Sequence, residues 1–327
     1  MTADTLDQQL TTYLSDVHAI EEQALVQMRD APGMSGDPEI AAAFERHHGE
    51  TREHERRVNE RLTARDAKPS TPKDVAGRLT GKGLGLFAAL QPKTPGKLVV
   101  HAYSYEHMEL AAYELLALMA DRAADHETAA TARLIGAQER EMATTLESLF
   151  DRAVTASMHD AGDQDPRAAL HEHLADAHAI ERQAIGLLEK GSQIAGSDQL
   201  TAAYLEHLGQ THEHQRLVAE RLDAGGASPS RLKDAAMAMG ALNWGAFFSS
   251  QPDTPAKLAA FSYAVEHLEV AAYELLGRVA RRAADAETEA VALGICEQER
   301  VAAQRIRALF PAALEASLHE LGVGAMR

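Results

Sequence analysis

The sequence has a single cysteine and few aromatic side chains, which make up 5% of its 327 residues. The lone Cys296 excludes an internal disulfide and is typical of a reducing compartment, so we expect it to be a small buried side chain. Valine and isoleucine are sparse beside alanine and leucine, which favours helix over sheet. The composition therefore predicts an all-α protein.

Long apolar runs and positive charge are also scarce. No apolar run reaches the roughly 18 residues that a membrane-spanning helix needs. The start, MTADTLDQQL, lacks the basic and apolar regions of a signal peptide. The formal net charge of -17 argues against non-specific attraction to nucleic acid or to an anionic membrane. We therefore expect a cytoplasmic protein that attracts cations, with neither nucleic acid nor membrane among its partners.

The chain repeats itself with an offset of 160 residues and no insertion. DVHAIEEQA at 16–24, for example, returns as DAHAIERQA at 176–184. This pattern indicates a tandem duplication. The short polar stretch HDAGDQDP at 159–166 marks the predicted joint between a first domain, 1–163, and a second, 164–327. We expect the two copies to pack as a pseudo-dimer within the chain, and this arrangement leaves further homo-oligomerisation open.

Helix-capping signals and apolar periodicity predict four long helices in each copy. In the first copy, the first helix runs from about residue 5 to 31, the second and third open at Pro38 and Pro95, and the fourth follows Asp125. Short loops within each pair predict two antiparallel hairpins. The stretch 64–94 is long enough to cross from one hairpin to the other. We therefore predict a four-helix bundle with one long crossover between the second and third helices.

Glutamate and histidine side chains occupy the apolar stripes of these helices, where core residues are expected. YEHMELAAYELL at 105–116 places Glu106 and Glu109 on one helix face, and VEHLEVAAYELL at 265–276 repeats the pattern. The second copy keeps every inward-facing polar residue except one, because Gln210 stands where the first copy has a glutamate. The inward-facing set in the first copy comprises Glu21, His47, Glu50, Thr51, His54, Glu106, Glu109 and Glu139.

Such a cluster needs compensating charge, because burying an ionised group costs several kcal/mol and a domain is stable by only about 5–15 kcal/mol. The first helix has no Lys or Arg before Arg29, and the third has none between Lys97 and Arg122. Glutamate and histidine from four facing helices are typical of dinuclear iron or manganese sites, and zinc would bind to the same atoms. The alternative is a hydrogen-bonded network in which Arg140, Tyr113 and the histidines neutralise the glutamates.

The histidines on these stripes have different predicted roles. We interpret His18 and His178 as hydrogen-bond partners rather than ligands. For His47 and His207, the sequence leaves both possibilities open, a metal ligand or a hydrogen-bonded core residue. Tyr113 and its copy are interpreted as core residues with a hydrogen-bonded hydroxyl.

Three motifs resemble those of the YciE/YciF-type ferritin-like proteins, a stress-associated bacterial group. DVHAIEEQA is similar to the acidic motif of that family's first helix, and RHHGETREHERRV at 46–58 to its second-helix histidine and Glu-Thr motif. YEHMELAAYE at 105–114 is similar to its Glu-His-x-Glu-x-Ala-Ala-Tyr signature. The resemblance implies a ferritin-like bundle with a dinuclear centre. The sequence departs from the usual Glu-x-x-His ligand motif, because Thr51 precedes His54 by three residues.

By this resemblance, each copy carries its own set of candidate metal ligands. The leading hypothesis is a stress-related protein with an iron or manganese site in each bundle core. If the protein is an enzyme, which the sequence leaves open, the metal would react with oxygen or peroxide. The alternative is a metal-free structural or interaction protein on the same scaffold. The implied ligands are Glu21, Glu50, His54, Glu106, Glu109, Glu139, Glu181, His214, Glu266, Glu269 and Glu299.

Overall fold

The computed structural model describes residues 3–67, 94–160, 165–228 and 253–322. Helices account for nearly all of these residues, and no strand occurs among them, which confirms the all-α prediction for these parts of the chain. None of the helices in these ranges is long and apolar enough to cross a bilayer. Most of the predicted crossover, and its copy in the second repeat, lies outside the described residues.

The two repeats share one order of helices. The first repeat contains α1 (Ala3–Met28), α2 (Ala31–Met34), α3 (Pro38–Thr63), α4 (Pro95–Arg122), α5 (His126–Ser148) and α6 (Phe150–Asp160). The second contains α7 (Pro166–Ile194), α8 (Asp198–Ala224), α9 (Thr254–Arg282), α10 (Ala286–Ala308) and α11 (Phe310–Glu320).

The predicted helix starts are confirmed by their caps. The Asp37 carboxylate accepts hydrogen bonds from the backbone N–H groups that open α3, and Thr94 and Asp125 do the same for α4 and α5. Such caps satisfy N–H groups that have no partner within the helix. The first helix differs from the prediction, because it ends at Met28 and the short α2 follows.

One further helix of 11 residues in each repeat, α6 in the first and α11 in the second, was not predicted. The fourth helix was predicted only by its start after Asp125. Helix α5 ends at Ser148, where the backbone N–H of Leu149 bonds to the Leu146 carbonyl at 3.0 Å. The chain then changes direction and α6 begins at the buried Phe150. Helix α6 packs against α4 and also against α9 of the second repeat. No glycine or proline marks this break in the first repeat, whereas Pro311 stands in the first turn of α11 in the second repeat.

Within each repeat, the four long helices surround one shared core. Helix α4 packs against α1 and α5, and α3 packs against α1 and α5. The second repeat has the same contacts among α7, α8, α9 and α10. All four helices therefore contribute side chains to the space between them.

The two repeats pack against each other through α4 and α9. The Ser104 hydroxyl donates a hydrogen bond to the Ala264 carbonyl at 2.7 Å. The rings of His107 and His267 stack with their centroids 3.5 Å apart. Reciprocal ion pairs, Lys97–Asp176 at 2.9 Å and Lys257–Asp16 at 3.1 Å, flank this contact. Because residues 160 apart exchange roles in these pairs, the repeats are related as the subunits of a twofold dimer would be.

Candidate metal centre

The space between α1, α3, α4 and α5 contains six ionisable side chains, none of which is more than 3% exposed. They form two groups in which the possible ligand atoms all lie within 4.8 Å of one another. One group is His47, Glu106, Glu109 and Glu139, and the other is Glu21, His54 and Glu139. Only Glu139 belongs to both groups.

Glu139 directs its two carboxylate oxygens to different groups. Its Oε1 lies 2.7 Å from His54 Nδ1, and its Oε2 lies 3.3 Å from His47 Nε2. Glu106 Oε2 lies 3.1 Å from the same His47 nitrogen. Glu139 therefore offers one carboxylate oxygen to each group.

Most of the inward-facing ligand atoms have no hydrogen-bond partner among the described residues. The short contacts among these atoms do not have the angles of hydrogen bonds. A buried polar atom without a hydrogen-bond partner destabilises the fold by about 1–3 kcal/mol, and by more when it is charged. Lone pairs that converge without bonding to one another fit a shared cation. These atoms are Glu21 Oε2, His47 Nε2, His54 Nδ1, Glu106 Oε2, and both carboxylate oxygens of Glu109 and Glu139.

Outer contacts orient the two imidazole rings. His54 Nε2 lies 3.2 Å from the Gln138 amide oxygen, and His47 Nδ1 lies 3.1 Å from a Glu50 carboxylate oxygen. An ionised carboxylate or an amide oxygen accepts only, so each outer nitrogen carries the proton and donates. In the neutral ring, the inner nitrogen then presents a lone pair to the cluster. Metal-bound histidines commonly donate their other ring N–H to a carboxylate or a carbonyl oxygen in the same way, which fixes the orientation of the ring.

Glu50 does not join the cluster, so the structure does not place it with the other predicted ligands. Its side chain is 49% exposed and contacts the outer nitrogen of His47. The buried stripe of α3 passes through His47, Thr51 and His54, and residue 50 lies beside it. His47, whose role the sequence left open, takes the inner position. A spacing of four and then three between these buried residues was the signal that favoured it.

Charge is distributed unevenly within the cluster. Burial raises the pKa of Glu106 to about 7, and burial and the neighbouring carboxylates raise the pKa values of Glu21 and Glu109 well above their usual range. Burial has the same tendency at Glu139, but His47 and His54 outweigh it and hold its pKa at about 2. Despite burial, Glu106 and Glu139 raise the pKa of His47 far above its usual value. Without a metal, the cluster therefore retains protons at neutral pH.

The second repeat reproduces this geometry. His214 Nδ1 lies 2.7 Å from Glu299 Oε1, and His207 Nε2 lies 2.7 Å from Glu266 Oε2 and 3.1 Å from Glu299 Oε2. The outer nitrogen of His207 lies 3.0 Å from the amide oxygen of Gln210, which replaces the glutamate of the first repeat. The two groups are His207, Glu266, Glu269 and Glu299, and Glu181, His214 and Glu299.

The other residues singled out in the sequence lie around the cluster. The Tyr113 hydroxyl donates a hydrogen bond to Glu21, and His18 Nε2 lies 3.0 Å from Glu55 Oε1, as expected for a hydrogen-bond partner. Arg140 is exposed on α5 and makes no ion pair within the described ranges, so it does not neutralise the glutamates. Cys296 is buried, as predicted.

Comparison with known protein families supports the duplication. The model of a family described as a domain of unknown function, DUF892, matches twice, at residues 5–159 and 165–319. No solved structure matches the chain. The two matched segments cover nearly the whole sequence and coincide with the two repeats. The chain therefore belongs to the DUF892 family and contains two consecutive copies of its domain.

Proposed function

We propose that each repeat is a ferritin-like domain, spanning 1–163 or 164–327, that binds a pair of iron or manganese ions between its four long helices. The observation that carries this proposal is the convergence of buried, unpartnered carboxylate and imidazole atoms around Glu139 and Glu299. Hard carboxylate oxygens with a few imidazole nitrogens suit iron and manganese, and zinc is compatible with the same atoms.

The two groups in each repeat define the two ion positions. In the first repeat, His47, Glu106 and Glu109 would hold one ion, Glu21 and His54 the other, and Glu139 both. The equivalent residues of the second repeat would hold its pair in the same way. Glu50 and Gln210 would orient imidazole rings instead of binding metal.

A pair of iron or manganese ions in such a site supplies redox chemistry with dioxygen or peroxide. The protein side chains position and protect it. Burial excludes bulk water from all of the ligand atoms, Gln138 fixes the ring of His54, and the Tyr113 hydroxyl fixes Glu21. A stress-related role agrees with this chemistry and is supported by the resemblance of the motifs to the YciE/YciF-type proteins.

The second candidate function is a metal-free interaction scaffold. The raised pKa of Glu106, about 7, and of Glu181, about 8, favours it, because protons would then neutralise part of the buried charge. The two candidates differ in one measurable property, the metal content of the folded chain.

Elemental analysis of the full chain, purified without chelators, tests the proposal. We expect about two transition-metal ions per repeat. Glu139→Gln should remove those of the first repeat, and adding Glu299→Gln should remove the rest. Glu45→Gln, an exposed change on α3, is the matched control and should leave the metal content unchanged. A folded wild-type chain that takes up no iron, manganese or zinc, even when titrated after chelation, would refute metal binding and support the scaffold.

A further inference from the structure

A half-open cavity of about 370 Å³ lies where α4 and α5 meet α10 of the second repeat. None of the residues in the two groups of candidate ligands lines it. Tyr113 belongs to the lining, and its hydroxyl reaches Glu21 in the cluster. The cavity is therefore separate from the candidate metal centre but adjacent to it. Its lining includes Leu110, Tyr113, Ala117, Arg133, Arg140 and Arg307.

The charges around this cavity do not balance. Three arginines line it together with a single carboxylate, that of Glu114. Arg307 Nε pairs with Glu114 Oε2 at 2.7 Å, and Arg133 pairs with Asp121 outside the lining. Arg140 has no ion-pair partner within the described ranges. An unpaired guanidinium in a chain of net charge -17 is a binding group for carboxylate or phosphate.

At the equivalent position in the second repeat, the arginine is paired with carboxylates. Arg300, the counterpart of Arg140, lies 2.5 Å from Glu274 Oε1 and 3.4 Å from Glu147 Oε1. Glu147 itself is the counterpart of Arg307, so one cation of the first cavity is an anion here. The unpaired positive charge is therefore specific to the first repeat.

The cavity of the first repeat and the equivalent position in the second differ in the size of one residue. Gly136 lines the cavity of the first repeat, and its counterpart is Cys296, which is fully buried. A Cβ atom at Gly136 would lie 3.5 Å from the Tyr113 Cβ, which is an ordinary contact. Packing therefore does not require glycine at this position. The absence of a side chain at Gly136 leaves space that the Cys296 thiol fills in the second repeat.

We propose that this cavity binds a small organic anion, one carboxylate or phosphate group on an apolar body. Arg140 would contact the anionic group, while Leu110, Ala117 and Tyr113 would contact the apolar part. The volume lies within the range of small-molecule sites, about 300–1,000 Å³, in which apolar walls and a few polar groups share recognition. The ligand would lie one side chain away from Glu21.

Isothermal titration of the full chain with three probes tests this site. Phenyl phosphate and benzoate carry the two possible anionic groups, and benzyl alcohol has a similar body without charge. We expect both anions to bind and the alcohol not to bind. Arg140→Gln should weaken anion binding about tenfold or more, because it removes a charge-assisted hydrogen bond. Arg46→Gln, an exposed change elsewhere, should leave the affinity unchanged.

Two further variants separate this proposal from its alternatives. Gly136→Cys, measured under reducing conditions, should weaken binding by filling the cavity as the second repeat does. The Glu139→Gln, Glu299→Gln double variant should still bind the anions, because the site does not depend on metal. The tighter of the two anions identifies the preferred group. The proposal would be overturned if neither anion bound or if the alcohol bound as tightly as the anions. It would also be overturned if Arg140→Gln and Arg46→Gln lost the same amount of anion affinity.

Discussion

The buried glutamates predict an unusual pH dependence for the metal-free protein. Burial raises the pKa of Glu106 and Glu266 from 4.5 to about 7. A group whose pKa is raised by folding stabilises the fold fully below its unfolded pKa, and this contribution is lost as the pH rises through the folded pKa. At about 1.36 kcal/mol per pH unit, each glutamate loses about 3 kcal/mol of stabilisation between pH 4.5 and 8. The two lie in different repeats, so the chain loses about 6 kcal/mol in total, and each repeat loses about 3 kcal/mol of the roughly 5–15 kcal/mol by which a domain is stable.

Glutamine at both positions resembles the neutral carboxylic acid and does not titrate. We therefore expect the chelated Glu106→Gln, Glu266→Gln variant to match the wild type near pH 5 and to exceed it by about 6 kcal/mol near pH 8. Urea unfolding followed by circular dichroism measures both proteins. Other groups titrate in this range, such as His267, whose pKa burial lowers to about 4, so the test is the difference between the two proteins.

Added metal should make the wild type more stable than the glutamine variant at pH 8. Binding requires deprotonated carboxylates, so added manganese should stabilise the wild type more at pH 8 than at pH 5, and should stabilise the glutamine variant little. A wild type and variant that differ by the same amount at both pH values in chelator would refute the buried, proton-holding cluster. Equal stabilisation of both proteins by manganese would instead refute the ligand role of these glutamates.

Three other variants test individual contacts. Gln210→Glu gives His207 the carboxylate that the first repeat has, and should tighten metal binding in the second repeat by up to about 10–100-fold in a competitive manganese titration. Cys296→Ser should leave the metal content unchanged by elemental analysis, because Cys296 belongs to neither group of ligands. Tyr113→Phe removes the donor to Glu21 and should destabilise the metal-free protein by about 1–3 kcal/mol in urea.

Local features of the sequence were enough to predict the helices and the duplication. Caps such as Asp37 and Thr94 act within one turn of the helix they begin, so neighbouring residues suffice to identify them. The offset of 160 residues is visible without any structure. The buried carboxylates were also predictable, because Glu106 and Glu109 interrupt an apolar stripe with helical spacing.

The direction of an individual side chain depends on contacts from other helices. Residues 47 and 50 are one turn apart and lie on neighbouring parts of α3. The spacing of the buried residues favours the inner position for His47, but it does not by itself move Glu50 out of the cluster. The dual position of Glu139 requires α5 to lie within reach of both His47 and His54 of α3. The break at Leu149 also depends on packing, because α6 turns to contact α9.

Contacts between the two repeats cannot be predicted from neighbouring residues in the sequence. Arg307 reaches the cavity beside Tyr113 from a helix almost two hundred residues away, and no periodicity relates these two positions. Residues within a helix turn are neighbours in every conformation that keeps the helix, so their chemistry is visible in the sequence. Residues on different helices become neighbours only when the apolar stripes pack together, and that packing depends on the shapes of many side chains at once.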